Sequence, residues 1–209
     1  MSAKGYLAFG HRWFPKSKNE EAPFSNQNSD IYTHQTESKS VPIQNNEYLD
    51  SVRNYYNKMN PFYLKCLGKT YQAGLLKVDD KYESYYQSNL LCAQRAGIKS
   101  GQKVLDAGCG VCGPSIDIAS SIHDLDIYAV TISDEQVKTA QNLIQQTKLS
   151  ENIQIQRCDY HDLSFSDNTF DHVIFLESFG YSYNPYRLLS EAFRVLKPGG
   201  CIYIKDIFL

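Results

Sequence analysis

From Lys103 onward the chain alternates short apolar runs with stretches of helical periodicity, and this alternation constrains the fold more than any other feature. Lys103 to Ala107 reads as a buried strand, Gly108 to Gly113 as a loop, and Pro114 suits the first turn of a helix running to about Ile122. Asp126 to Ile132 is a second strand. Ser133, with Gln136 three residues on, carries the capping-box signature of a helix start. The helix behind it places Val137, Ala140, Leu143 and Ile144 on one face. Asn152 to Cys158 and Asp171 to Leu176 read as further strands. Asn184-Pro185 opens a helix with Leu188, Leu189, Ala192, Phe193 and Leu196 inward, Pro198-Gly199-Gly200 stops it, and Cys201 to Ile207 is a fifth strand. This order predicts an α/β fold, a Rossmann-like parallel sheet with helices on both faces and right-handed crossovers. Such sheets bind ligands beyond the carboxyl ends of their strands. Site residues are therefore expected after Ala107, Ile132, Cys158 and Leu176.

The segment Gly108 to Gly113 satisfies G-x-G-x-x-G. In a dinucleotide site that loop receives a pyrophosphate, and an acidic residue ends the second strand to hold the ribose. Here the second strand ends Val130-Thr131-Ile132, with no carboxylate, whereas Asp106 stands just before the loop. A carboxylate repels a pyrophosphate but attracts a ligand bearing an ammonium and a sulfonium. The expected ligand is therefore S-adenosylmethionine rather than a nicotinamide dinucleotide. Asp106, Gly108, Cys109 and Gly110 are its candidate contacts, the glycines allowing backbone to approach without a Cβ.

The 209 residues leave room for one α/β domain and a leader. We divide them into a flexible polar leader (1–45), a helical extension (46–100) and the Rossmann-like domain (101–209). In the leader, Asn, Gln, Ser, Lys and Glu dominate from Lys16 to Ser40, while Tyr6, Phe9, Trp13 and Phe14 could dock on the body. In the extension, Tyr48, Leu49, Val52, Tyr55 and Tyr56 recur at helical spacing, Asn60-Pro61 is expected to break that helix, and Tyr82 to Ala96 forms another capped by Gly97. A net charge of −2 argues against nucleic acid or an acidic membrane as partner. No run is long and apolar enough to span a bilayer, and the start lacks a secretory signal, so a cytoplasmic location is expected. The six cysteines are then expected as free thiols. Cys109 and Cys112 form a C-x-x-C, but no second ligand pair accompanies them and no metal site is expected.

Val104 to Gly110, Val-Leu-Asp-Ala-Gly-Cys-Gly, resembles the first motif of class I S-adenosylmethionine-dependent methyltransferases. Thr131 to Gln136 resembles the segment of sterol, cyclopropane-fatty-acid and tocopherol-type members, which lack the acidic ribose ligand and use Thr and Gln instead. Cys158-Asp159-Tyr160 is similar to the segment whose Asp meets the adenine amino group. Phe170 to Ile174 and Leu196 to Gly200 match the fourth- and fifth-strand signatures. The resemblance implies cofactor contacts from Thr131, Ile132, Gln136, Asp159 and Tyr160. It also implies that the helix before the first strand folds across the cofactor, which makes Tyr85 a cofactor contact and Tyr86 a member of the reaction site. Gln72 is a weaker candidate of the same kind.

Methyl transfer from a sulfonium is an in-line displacement, so the protein chiefly positions the acceptor and manages its proton. Glu177 follows the apolar run Val173 to Leu176 and should face the crevice. Glu177 to Tyr181 resembles branches that methylate an alkene carbon, in which such an acid stabilises a carbocation and takes a proton. His161 is the candidate base for a hydroxyl acceptor, and Phe179, Tyr181 and Tyr183 are candidate pocket walls. The expected acceptor is a small, largely apolar molecule, either a natural-product hydroxyl or an isoprenoid or lipid carbon. The family's sheet ends in an antiparallel strand pair that this chain lacks, which would leave the fifth strand an open edge. A longer parent protein, a homo-oligomer or another partner covering that edge, a naturally truncated and weakened enzyme, and a non-catalytic cofactor-binding subunit are the readings this motivates.

Overall fold

The computed structural model describes residues 8–15, 45–73 and 81–208. Its elements are β1 (Ala8–Pro15), α1 (Asn45–Leu67), α2 (Lys81–Ala96), β2 (Lys103–Ala107), α3 (Gly113–Ser121), β3 (Asp126–Thr131), α4 (Asp134–Gln145), β4 (Ile153–Arg157), β5 (Phe170–Leu176), a 3-10 turn at Phe179–Tyr181, α5 (Pro185–Val195) and β6 (Leu196–Phe208). The sheet order is β1-β6-β5-β2-β3-β4. Strands β2 to β6 run parallel, as the alternation predicts. Residues alternate between two cores. Val104, Ile127, Ala129, Ile174 and Tyr203 pack under α2, α3 and α4. Leu105, Val130, Val173, Phe175 and Ile204 pack with Leu188, Ala192 and Val195 of α5. Each fully buried Val, Leu, Ile or Phe among them contributes about 1.5–3 kcal/mol.

The helix ends follow local chemistry. Ser133 caps α4, its Oγ accepting from Gln136 N at 3.1 Å. Asn184 caps α5 by accepting from Arg187 N at 3.0 Å. Gly97, at φ +78°, closes α2 in a Schellman pattern, with Gly97 N donating to Gln94 O and Ile98 N to Ala93 O.

Three expectations are corrected. First, α1 continues through Pro61 instead of breaking at Asn60-Pro61. Tertiary anchors override the local penalty: Asn60 Nδ2 donates to Thr139 Oγ1 at 2.8 Å, and Asn57 Oδ1 accepts from Ser133 Oγ at 2.6 Å, lashing the helix to α4. Second, Ala8–Pro15 of the expected leader is a strand, while Tyr6 and the stretch from Lys16 to Ser40 lie outside the described residues. Third, the edge of β6 is not open. β1 runs antiparallel along it from Ala8↔Phe208 to Pro15↔Cys201, so the chain itself satisfies those backbone groups. Pro198-Gly199-Gly200 also lies within β6, accommodated by a jump in register between Phe170↔Leu196 and His172↔Cys201.

Candidate active site

The carboxyl ends of β2, β3, β4 and β5 open into one crevice. Its floor is the glycine loop. Gly108 N and Cys109 N both donate to Val130 O, at 2.9 and 3.0 Å, which pins the loop to the tip of β3. Gly108 is required twice over: φ is +81°, and a Cβ there would lie 2.4 Å from Ser178 Cβ. Ser178 Oγ in turn donates to Ala107 O at 2.5 Å, tying the β5 loop to the end of β2. One wall is Thr131, Ile132 and Gln136, the next is Asp159 and Tyr160, and the third is Glu177 and Tyr181. The roof is Leu49, Val52 and Tyr56 of α1 with Tyr71 and Gln72 of the following segment.

Of the residues singled out from sequence, the fold therefore gathers Gly108, Cys109, Gly110, Thr131, Ile132, Gln136, Asp159, Tyr160 and Glu177 around one space. Thr131 Oγ1 donates to Gln136 Oε1 at 2.6 Å, which commits the amide oxygen and leaves Nε2 as the outward donor, 4.0 Å from where a Gly110 Cβ would stand. Asp106 is not a wall. It is 1% exposed beneath the loop and accepts from Ser115 Oγ at 2.6 Å. Burial raises its pKa to about 6, with the serine bond opposing.

Three candidates stand away from the crevice. Tyr85 and Tyr86 line a separate shallow pocket with Lys69 and Asp117, and the Tyr86 and Ser121 hydroxyls lie 2.7 Å apart. They miss because α2 packs down on α3: Asn89 Nδ2 donates to Asp117 Oδ2 at 2.8 Å, while Cys92, Ala93 and Ala96 enter the core. The aromatic roof comes from α1 instead, through Tyr56. His161 is fully buried, with Nδ1 2.7 Å from Asp159 Oδ1 and Nε2 2.8 Å from Ser182 Oγ. Both ring nitrogens are engaged, so it offers no lone pair to an acceptor hydroxyl.

Glu177 follows β5 at φ +57°, a left-handed conformation uncommon for glutamate and of the kind that functional sites hold. Both carboxylate oxygens accept from Ala73 N at 3.0 Å. Oε1 also accepts from Lys205 Nζ at 2.5 Å. Lys205, 0% exposed, further donates to Gln72 Oε1 at 2.7 Å and Ala73 O at 2.5 Å. Sequence reasoning missed this lysine. The signal available was a lysine inside the apolar run Cys201 to Ile207, where a cation requires a buried partner.

Tyr56, Tyr71 and Tyr160 are donors rather than bases. Burial, then the hydrogen bond and charge of Tyr181, push Tyr56 far above the usual phenol range, and burial does the same to Tyr71 and Tyr160. Tyr56 and Tyr181 meet edge to face at 5.5 Å across the crevice. Burial raises the Asp159 carboxyl, but the side-chain and backbone donors of His161 outweigh it and hold the group below its ordinary value. Among the described residues the crevice is lined by two carboxylates, Asp159 and Glu177, the latter paired from behind with Lys205, and by no cationic side chain. That lining suits S-adenosylmethionine, whose ammonium and sulfonium outnumber its carboxylate, and opposes a pyrophosphate.

A family model described as a methyltransferase domain matches residues 105–204. The sterol 24-C-methyltransferase of Aspergillus fumigatus is 31% identical over 155 residues, covering 74% of this chain and 41% of that protein. Cycloartenol-C-24-methyltransferase 1 of Oryza sativa is 30% identical over 160 residues, covering 76% of this chain and 46% of the relative. The chain thus spans less than half the length of these relatives. Among solved structures, the [4+2]-cyclase SpnF superposes with a TM-score of 0.71 at 26% identity, covering 76% of this chain and 60% of that one. Residues 105–204 thus match a methyltransferase domain, and the chain resembles the class I S-adenosylmethionine-dependent methyltransferases, the sterol-type enzymes among them.

Proposed function

We propose that this chain transfers a methyl group from S-adenosylmethionine to an alkene carbon of an apolar isoprenoid or lipid acceptor. The observation that carries this reading is the placement of Glu177, a carboxylate at the tip of β5, between the glycine loop and a tyrosine-lined roof. The sterol and cycloartenol methyltransferases named above support a carbon acceptor. An O-methyl transfer would need a base beside the acceptor hydroxyl, and His161, with both ring nitrogens engaged, does not serve.

When bound, the cofactor supplies the electrophilic methyl and its own leaving group. Gly108 and Gly110 admit its methionyl part and ribose, Gln136 Nε2 donates to a ribose hydroxyl, and Asp159 accepts from the adenine amino group. Tyr56 and Tyr181 present ring faces and edges around the acceptor, where ring faces stabilise developing positive charge by cation–π attraction. Glu177 Oε2 takes the proton that the methylated acceptor releases; among the described residues it accepts only from Ala73 N, whereas Oε1 also carries the Lys205 bond. The apolar side chains of Leu49 and Val52 keep water from a carbocation that would otherwise be trapped as an alcohol.

The experiment is incubation of the purified chain with methyl-labelled cofactor and a panel comprising cycloartenol, other side-chain alkenes of sterol and isoprenoid type, and phenolic hydroxyl acceptors. Label at carbon in an alkene acceptor is expected. Label only at oxygen, or in no acceptor despite cofactor binding, would overturn the reading.

A further inference from the structure

We infer that His161 is a positioning residue for the cofactor, holding the Asp159 carboxylate in the one orientation that presents Oδ2 to the adenine amino group. This rests on the reading of Asp159 as the adenine contact. Asp159 Oδ1 accepts twice from the same residue, from His161 N at 2.9 Å and from His161 Nδ1 at 2.7 Å. An ionised carboxylate only accepts, so Nδ1 carries the proton. Nε2 then accepts from Ser182 Oγ at 2.8 Å, and that oxygen accepts from Asn184 N at 3.2 Å. The assignment is closed, with every donor having one acceptor.

The imidazole cannot turn. It is 0% exposed, its centroid lies 3.8 Å from that of the Tyr183 ring and 4.8 Å from that of Tyr160, and Arg187 Nε donates to the backbone carbonyl of His161 at 2.9 Å. With Oδ1 committed, Oδ2 has no protein donor among the described residues, and Asp159 lines the crevice. Asp-His-Ser is also the order of a hydrolase triad. Here the carboxylate, not the hydroxyl, faces the crevice, so the chain of bonds serves to aim Asp159. It also joins the loop after β4 to the residue following Tyr181, linking the adenine wall to the acceptor wall.

The test is calorimetric titration with S-adenosylhomocysteine and with its 6-deamino analogue, in which hydrogen replaces the amino group. The proteins are the parent chain, Asp159→Asn, His161→Ala, His161→Asn and Ser182→Ala. Asp159→Asn should weaken S-adenosylhomocysteine by roughly tenfold or more, as expected for a hydrogen bond to a charged group, and leave the analogue unchanged. His161→Ala should reproduce that selective loss. His161→Asn, whose amide nitrogen takes the place of Nδ1, should recover most of it, and Ser182→Ala should fall between. If His161→Ala does not fold, His161→Gln, whose amide reaches Ser182 but not Asp159, takes its place. Equal weakening of both ligands, or no change, in the His161 variants while Asp159→Asn discriminates would overturn the inference and leave the adenine reading standing. An Asp159→Asn chain that binds both ligands like the parent would overturn the adenine reading itself, and the role of His161 with it.

Discussion

Lys205 Nζ donates to Glu177 Oε1 at 2.5 Å, and the two residues meet because β5 and β6 run parallel in a register that pairs Leu176 with Lys205. The lysine spends its other donors on Gln72 Oε1 and Ala73 O. One ammonium therefore fixes the candidate proton acceptor and the segment that roofs it. Lys205→Met should destabilise the fold by about 3 kcal/mol, because it leaves a carboxylate in a largely buried place without its cation. Glu177→Gln/Lys205→Met should recover much of that stability without recovering methyl transfer. Urea unfolding followed beside turnover checks both; a double variant no more stable than Lys205→Met would mean the lysine acts through packing rather than charge.

Glu177→Gln alone keeps the shape of the side chain and removes its basicity. We expect turnover on an alkene acceptor to fall by about 10²- to 10⁴-fold, the range of a general base, with S-adenosylhomocysteine affinity within a few-fold of the parent. Unaltered turnover would remove Glu177 from the chemistry.

Asp106 makes stability depend on pH in the less common direction. Its carboxyl is raised by burial from 3.8 to about 6 in the folded chain, so between about pH 4 and 6 the folded state holds a proton that the unfolded state releases. Stability should fall as pH rises through that window, by roughly 3 kcal/mol in total, and this contribution should be flat above it. Unfolding at a series of pH values should show the slope in the parent and its loss in Asp106→Asn. A slope retained in the variant would assign it to another group.

Gly113 opens α3 directly beneath the Lys69–Ala73 segment, and a Cβ there would lie 1.9 Å from Lys69 O. Backbone on both sides leaves no flexible side chain to give way. Gly113→Ala should cost about 1–3 kcal/mol and free the roof, seen as faster amide exchange in residues 69–73 than in α4. Unchanged exchange there would show that the helix, not the segment, absorbs the methyl group.

Local chemistry made much of the frame legible. The glycine loop, the Ser133 and Asn184 caps and the apolar runs of β2, β3, β5 and β6 each state their structure within a few residues. The walls of the crevice follow from them, because residues at strand tips in a parallel sheet have only one place to go. What escaped was set by contacts distant in sequence. Pro61 stays helical because Asn57 and Asn60 reach α4, some 75 to 79 residues away. Tyr85 and Tyr86 carry the right functional groups for the reaction site, yet the buried face of α2 turns them elsewhere. His161 looked like a base until its two neighbours were in place, and a loop sequence does not announce that both ring nitrogens are taken.

The pairing of β1 with β6 also has a consequence for how the chain is made. Ala8 meets Phe208 and Pro15 meets Cys201, so β1 leaves the ribosome long before the strand it pairs with. At roughly 5–20 residues per second, Pro15 emerges some ten to forty seconds before Cys201. The sheet from β2 to β5 has that interval in which to form, whereas β1 has no partner during it. Contacts of such long sequence separation are slow to close. A pulse-labelling experiment on the nascent chain should find β1 gaining protection after β2 to β5, when the crevice has already taken shape.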